Sequence, residues 1–323
     1  MRNRFRGMMH PRGWVPALMV LWVTCGSLPA AAPAPGFLSG NAAVSWQVFN
    51  GLQSGMIKEY VFIGDYLLSR LDWNIDLQPS LGTALHFRSG DWVFGFSVVI
   101  GIPAHVGWMK DYDWSEKDSS GFYNGVWTHY SEHDLVMDQA FRLELSGYLH
   151  LGGFFGGQVW LGASLGWQRY AMQGMDGFVE YPPGSERQYL SGKKVISYTT
   201  DQILPMIGVL SEWCFKSLSA SLELRGSVIG FERAYDQHHE RSLDFYDYFY
   251  FLPSLEIRAS FGFAFSEAVR WYLTGIVVVF PETRGESYMT DLSVGKSYQL
   301  TSEGGASSWF AGIETGFQFM ISE

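Results

Sequence analysis

The sequence is poor in cysteine, in charge and in long apolar runs, and each shortage excludes something. With only Cys25 and Cys214 in 323 residues, a disulfide-stapled scaffold is ruled out. Charged residues make up 17% of the chain, below the roughly 25% usual in soluble domains. Beyond the N-terminus no stretch of ~18 apolar residues occurs, which argues against a helical membrane protein. The formal net charge of −10 excludes a general nucleic-acid binder. What the chain does have is aromatic side chains (Phe 24, Tyr 17, Trp 13) and 37 glycines. With 47% hydrophobic residues and a mean hydropathy of zero, it is neither disordered, collagen-like nor a coiled coil.

The N-terminus reads as a targeting segment. Arg2, Arg4, Arg6 and Arg12 precede an apolar run from Trp14 to Val23, then small residues from Gly26 to Ala34. A basic end, an apolar middle and a small-residue cleavage zone make a secretory signal peptide. The predicted division is a signal over residues 1–34, cut between Ala30 and Ala34, and a barrel domain over 35–323. The four arginines leave with the signal, so the mature charge is −14. Cys25 leaves as well, and Cys214 alone forms no internal disulfide.

The body alternates with period two. Leu71, Trp73, Ile75 and Leu77 alternate with Asp72, Asn74, Asp76 and Gln78; Trp92, Phe94, Phe96, Val98 and Ile100 alternate with smaller residues. Leu218–Leu224 and Phe141–Leu145 repeat the pattern. These are strands with one apolar and one polar face. A soluble two-layer sandwich would alternate too, but the export signal, the aromatic apolar faces and the spacing of the turns favour a transmembrane barrel. Ser89-Gly90-Asp91, Gly152-Gly153, Lys216-Ser217 and Ser266-Glu267 read as tight turns. The stretches 112–130, 176–190, 232–244 and 282–300 read as long polar loops. Short turns at one end and long loops at the other mark outer-membrane barrels. The expected fold is therefore all-β, a ten-stranded antiparallel transmembrane barrel. With about 29 residues per strand and only ~9–11 needed to cross the hydrocarbon, the wall should rise well beyond the membrane. Ten strands are too few for an open pore.

Candidate chemistry gathers where strands reach the long loops. In Asp111-Tyr112-Asp113-Trp114 both carboxylates point into the upper cleft if no bulge intervenes, and their repulsion raises one pKa or recruits a proton or water. In Asp236-Gln237-His238 the carboxylate can support the imidazole as a general base. Strict alternation from Leu218 would send this pair outward, unless a bulge near Ile229-Gly230 resets the register. Ser131 and His133 invite a serine-hydrolase reading, but no nucleophile elbow or third member accompanies them. His133, His238 and His239 show no recognised zinc spacing, and no metal is expected.

In this order, these segments resemble the omptin family of outer-membrane endopeptidases over nearly the whole mature chain. Gly55-Met56-Ile57-Lys58-Glu59-Tyr60, Leu71-Asp72-Trp73, Asp111-Tyr112-Asp113-Trp114, Trp127-Thr128 with Ser131-Glu132-His133, and Asp236-Gln237-His238 carry the likeness. The resemblance implies a cleft on the cell exterior, in the bacterial outer membrane, acting on polypeptides at the cell surface as a monomer and without a cofactor. It implies a water held between an Asp pair (Asp111 and Asp113) and an Asp-His dyad (Asp236 and His238), with no covalent acyl-enzyme. Ser131 and His133 become supporting residues.

The departures concern specificity. The family cuts beside basic residues using an acidic pocket. Glu59 matches one acid of that pocket, Ala234 replaces the second, and His129 stands where another carboxylate is common, so selectivity is expected to be looser. Arg169 matches one basic member of the family's lipid A site, but Asp201 falls where a second arginine is expected, which leaves dependence on lipopolysaccharide or another outer-membrane lipid open. Phe319-Met320-Ile321-Ser322-Glu323 lacks the terminal aromatic of barrel-assembly signals. The alternatives are a catalytically weak or inactive surface adhesin on the same scaffold, and a small transport barrel.

Overall fold

The computed structural model describes residues 44–114, 127–182 and 184–321. The expected signal peptide, most of the loop after Asp113 and the last two residues lie outside them. The described chain forms fourteen strand segments and no helix: β1 (Val44–Ile63), β2 (Tyr66–Ser89), β3 (Trp92–Gly101), β4 (Ala104–Asp113), β5 (His129–Phe154), β6 (Gly157–Glu180), β7 (Gln188–Tyr189), β8 (Lys194–Phe215), β9 (Leu218–Ser227), β10 (Phe231–His238), β11 (Leu243–Phe249), β12 (Ser254–Ala264), β13 (Val269–Asp291) and β14 (Lys296–Ile321).

Every pairing is antiparallel, and the pairings close on themselves. From β1 the ladder passes to β2, then to β3 and β4 in succession, β5, β6 and β8. It continues through β9 and β12 at one level, through β10 and β11 at the other, and reaches β13, β14 and β1 again. Closure removes the exposed edges of an open sheet. We call the end that carries the β1–β2, β4–β5, β10–β11 and β13–β14 connections the upper end.

Two tiers follow from which face the apolar residues take. In the lower tier Val48, Leu85, Phe94, Leu165, Leu222 and Phe317 are exposed on the outside, while Gln47, Arg225, Glu256 and Gln318 are buried within. An apolar outside and polar inside is the arrangement a bilayer demands. In the upper tier the order inverts. Leu71, Trp73, Ile75, Met109, Leu135, Tyr198 and Phe249 form one buried cluster, as in a soluble barrel.

The inversion happens at a waist of irregularities. Register shifts fall at Gln53/Gly55 against β2, at Met137/Gln139 in β5 and at Phe280/Thr283 in β13. Strands break at Ile102-Pro103, at 228–230 and at 250–253. One extra residue flips every later side chain to the other face. Hence Ile75 faces in, whereas Leu77, two residues along the same strand, is exposed.

Several sequence expectations change here. Two of the stretches read as long loops, 232–244 and 282–300, are mostly strand, with turns only at 239–242 and 292–295, and 176–190 begins as the end of β6. Their Tyr, Asp and Glu content reflects a wall standing in water, whose outer face is polar. The turn expected at Gly152-Gly153 lies instead at Phe155-Gly156, both at positive φ, and the two glycines lie within β5 beside a bulge.

Candidate active site

Asp111 and Asp113 reach the cleft because two slips along their wall cancel. Odd residues face inward in β3, as the burial of Val93 and Gly101 shows. Across the break at Ile102-Pro103 an even residue, Val106, becomes the buried one. The bulge between His105 and Gly107 then restores odd parity, with Met109 and Asp111 inside. On the β9–β10 wall, separated from it by β5, β6 and β8, only one slip occurs. Odd residues Glu223 and Arg225 face in below, and even residues Glu232, Ala234, Asp236 and His238 face in above. The reset falls across residues 228–230, where the sequence required it. There the Ile229 N–H donates to Ser227 Oγ at 3.2 Å and the Leu252 N–H donates to the Gly230 carbonyl at 3.2 Å. A Cβ on Gly230 would lie 2.9 Å from the Leu252 carbonyl oxygen, so the close approach requires glycine.

At the top of β10, His238 Nε2 lies 2.6 Å from Asp236 Oδ2, and both side chains are almost wholly buried (6% and 2% exposed). With Nε2–H donated to the carboxylate, Nδ1 is the basic nitrogen, and it has no partner among the described residues. Burial alone would lower the affinity of this imidazole for a proton, but the charge and hydrogen bond of Asp236 outweigh it, so its pKa is raised. Asp111, 3% exposed, has its pKa raised to about 7 by burial and by the charge of Asp113, against the opposing pull of Arg241 and His238. The charges of His238 and Asp236 also act on Asp111, the first lowering and the second raising its pKa.

Arg241 was not singled out from the sequence. It sits in the β10–β11 turn and extends its Nη2 to Asp111 Oδ2 at 3.0 Å and to Asp113 Oδ2 at 3.2 Å. An arginine three positions past His238, in a stretch read as loop, carries no sequence signal for this contact.

Ser131 lies opposite Asp111 in the β4–β5 ladder, with His133 on the same face, both buried. His133 Nδ1 meets the Asp176 carbonyl at 2.6 Å and Nε2 meets Ser131 Oγ at 2.9 Å. A carbonyl only accepts, so Nδ1 carries the proton and Nε2 accepts from the serine hydroxyl. Burial lowers the pKa of His133. Its orienting partner is a backbone carbonyl rather than a carboxylate.

Glu59 is 2% exposed on the inner face of β1. Burial and the charges of Asp236, Asp247 and Asp111 raise its pKa well above the carboxylate range. Asp247 is the second residue missed. It is the cross-strand partner of Ala234, and only the β10–β11 register reveals this. On the outer wall Arg169, Asp201 and Arg233 align across β6, β8 and β10. Arg169 Nη1 binds both oxygens of Asp201 at 3.0 and 3.1 Å, and Arg233 Nη2 binds Oδ2 at 2.9 Å. Among the described residues no group of three or more His, Cys, Asp or Glu is arranged to hold a metal ion.

With this geometry established, the chain was compared with known proteins. A model of the omptin family matches residues 41–321. The outer membrane protease OmpT of Escherichia coli superposes with a TM-score of 0.78 at 17% identity, covering 88% of this chain and 98% of its own; this is a likeness of fold. The outer membrane protein OprG of Pseudomonas aeruginosa (TM-score 0.37, 9% identity, 88% and 99% covered) and the translocator domain of the autotransporter NalP of Neisseria meningitidis (0.32, 11%, 83% and 88%) are more distant. No curated protein sequence matches.

Proposed function

The chain belongs to the omptin family and to the bacterial outer membrane, and on that premise we propose that it is an endopeptidase whose cleft opens to the cell exterior. We read each interrupted pair (β3 with β4, β9 with β10, β11 with β12) as one wall strand, giving ten around the ring. The lower tier spans the bilayer and the upper tier holds the site in water.

In the proposed reaction, His238 Nδ1 takes a proton from a water molecule as the water oxygen attacks the scissile carbonyl. The same proton then passes to the departing amine as the C–N bond breaks, and because water rather than a side chain attacked, no acyl-enzyme forms. Asp236 orients the imidazole and stabilises its charged form. Asp111 and Asp113 position the water from the opposite wall. Glu59 receives a substrate side chain, and Ser131 and His133 support the wall behind Asp111. The observation that carries this reading is the Asp236–His238 contact at 2.6 Å, buried and within electrostatic reach of Asp111.

The test is a peptide library incubated with refolded protein and with His238→Ala. Cleavage should vanish in the variant while the barrel keeps its heat-dependent shift in gel mobility. Undiminished cleavage would remove the assignment. A transport reading finds little support, because Arg225 reaches both Glu144 and Glu256 across the lower lumen at 2.8 and 2.6 Å. On the outer wall, Asp201 offsets one of its two arginine charges. A single remaining positive charge should hold lipid phosphate weakly, so we propose that Arg169 gives at most a weak dependence on lipopolysaccharide.

A further inference from the structure

In the proposed reaction Asp111 and Asp113 hold a water molecule, which binds two carboxylates by donating both of its O–H bonds from one oxygen. The chain itself supplies a group of the same form at that place. Arg241 Nη2 carries two N–H bonds on one nitrogen, and it lies 3.0 Å from Asp111 Oδ2 and 3.2 Å from Asp113 Oδ2. We propose that Arg241 is an autoinhibitory strap: in the peptide-free protein its guanidinium occupies the seat of the attacking water, and a polypeptide is bound and cut only when that side chain withdraws. The proposal rests on the endopeptidase reading of this cleft and concerns the regulation of the same site.

The strap crosses the cleft and does not run along its wall. Asp111 and Asp113 stand at the end of β4 and Arg241 in the turn after β10. Around the ring β5, β6 and β8 lie between those two strands. No ladder joins them, so the two ion pairs reach over the mouth from the wall of Asp236 and His238 to the wall of the Asp pair. A peptide laid with its scissile carbonyl between these walls meets the Arg241 side chain in its path.

The turn is tied down on both sides, which leaves the side chain as the moving part. The His239 N–H donates to the Val195 carbonyl at 2.9 Å and the Leu292 N–H donates to the Ser242 carbonyl at 2.9 Å. Between them Glu240 is bonded by Lys193 Nζ at 3.1 Å. The Arg241 side chain is 40% exposed, against 4% and 13% for the two carboxylates. Its cationic head can therefore swing back into water by rotation about its own bonds, while the acids stay in the cleft. Charge-assisted hydrogen bonds favour the closed form, and solvent around the arginine weakens them. Peptide affinity is then reduced by the fraction of molecules that are open.

Binding and cleavage test the strap together. Binding is read by fluorescence anisotropy of labelled library peptides in the His238→Ala background, where no turnover disturbs the equilibrium. Cleavage is read with His238 in place, on the plateau above the rising limb of the pH profile. Arg241→Ala should tighten binding about tenfold, the scale of a partly solvated pair of charge contacts, and raise kcat/KM by a similar factor. Guanidinium chloride far below denaturing concentrations, matched against sodium chloride, should refill the seat in Arg241→Ala and undo both gains, while the parent responds much less. A variant that is merely loosened or misfolded would not be corrected by that ion. Binding no tighter in Arg241→Ala, no peptide bound by either form, or guanidinium acting equally on both would overturn the proposal. Tighter binding that guanidinium reverses, with no cleavage by any form, would retain the strap and remove the hydrolase reading.

Discussion

The two tiers of the barrel treat buried charge in opposite ways. In the lower lumen, acids and bases are matched: Arg225 joins Glu144 and Glu256, Arg142 joins Glu314 at 3.0 Å, and Arg258 closes on Glu256. A cavity is lined by part of this network, including Arg142, Glu144, Glu256 and Glu314. In the upper cleft Glu59, Asp111, Asp236, Asp247 and Glu232 are all nearly buried, and the bases bonded to them are Arg241 and His238. Matched charges hold a shape, because each satisfies the other in a low-dielectric interior. Unmatched carboxylates destabilise the fold and are kept for what they can bind or protonate. Both regions are rich in buried charge, and the proposed chemistry draws on the upper one.

That contrast can be broken from either side. The largest effect should follow Asp236→Asn, which keeps the side chain's size but removes the charge that supports His238. Peptide cleavage should fall by about 10³-fold with little change in the temperature of the gel-mobility shift. A variant cleaving within tenfold of the parent would count against the dyad. Arg225→Met attacks the lower tier instead. It leaves Glu144 and Glu256 with Arg258 as their shared base and should cost about 3 kcal/mol of stability, the low end for breaking a buried pair, read from a lowered unfolding temperature. The folded fraction should still cleave at the parental rate; a matching fall in turnover would show that the tiers are coupled.

The smallest effect concerns pH. Cleavage requires neutral His238 and ionised Asp111, so activity should rise with pH as it passes the raised pKa of His238 and the value of about 7 for Asp111. Arg241 lowers both groups. Arg241→Gln should therefore move the rising limb of the pH profile upward, by about one unit on the scale of a single close charge. A limb that stays put or moves down would show that Arg241 does not act on Asp111 in the working enzyme.

Much of the fold could be read directly. Alternation along Trp92–Ile100 and Leu218–Leu224 gave strands, and those strands are present. The wall was expected to rise beyond the membrane, but polar, Tyr-rich stretches such as 232–244 read as loops. A strand in water has no lipid-facing stripe to announce it, and Tyr, Asp and Glu suit a solvated outer face as well as a loop. The register reset near Ile229-Gly230 was legible because Asp236 and His238 made no sense facing outward. The pair of cancelling slips in β3 and β4 was not, since two errors of parity leave the same pattern as none.

Local pattern thus determined the strand content and pointed to the titratable residues at strand ends, because period-two alternation and short motifs are properties of neighbours along the chain. What stands opposite what was settled in space. Asp247 facing Ala234, Arg241 spanning Asp111 and Asp113, and the inversion of apolar faces at the waist all depend on register between strands. Register is fixed by bulges and ladder pairing over the closed barrel, and a single inserted residue changes every partner beyond it.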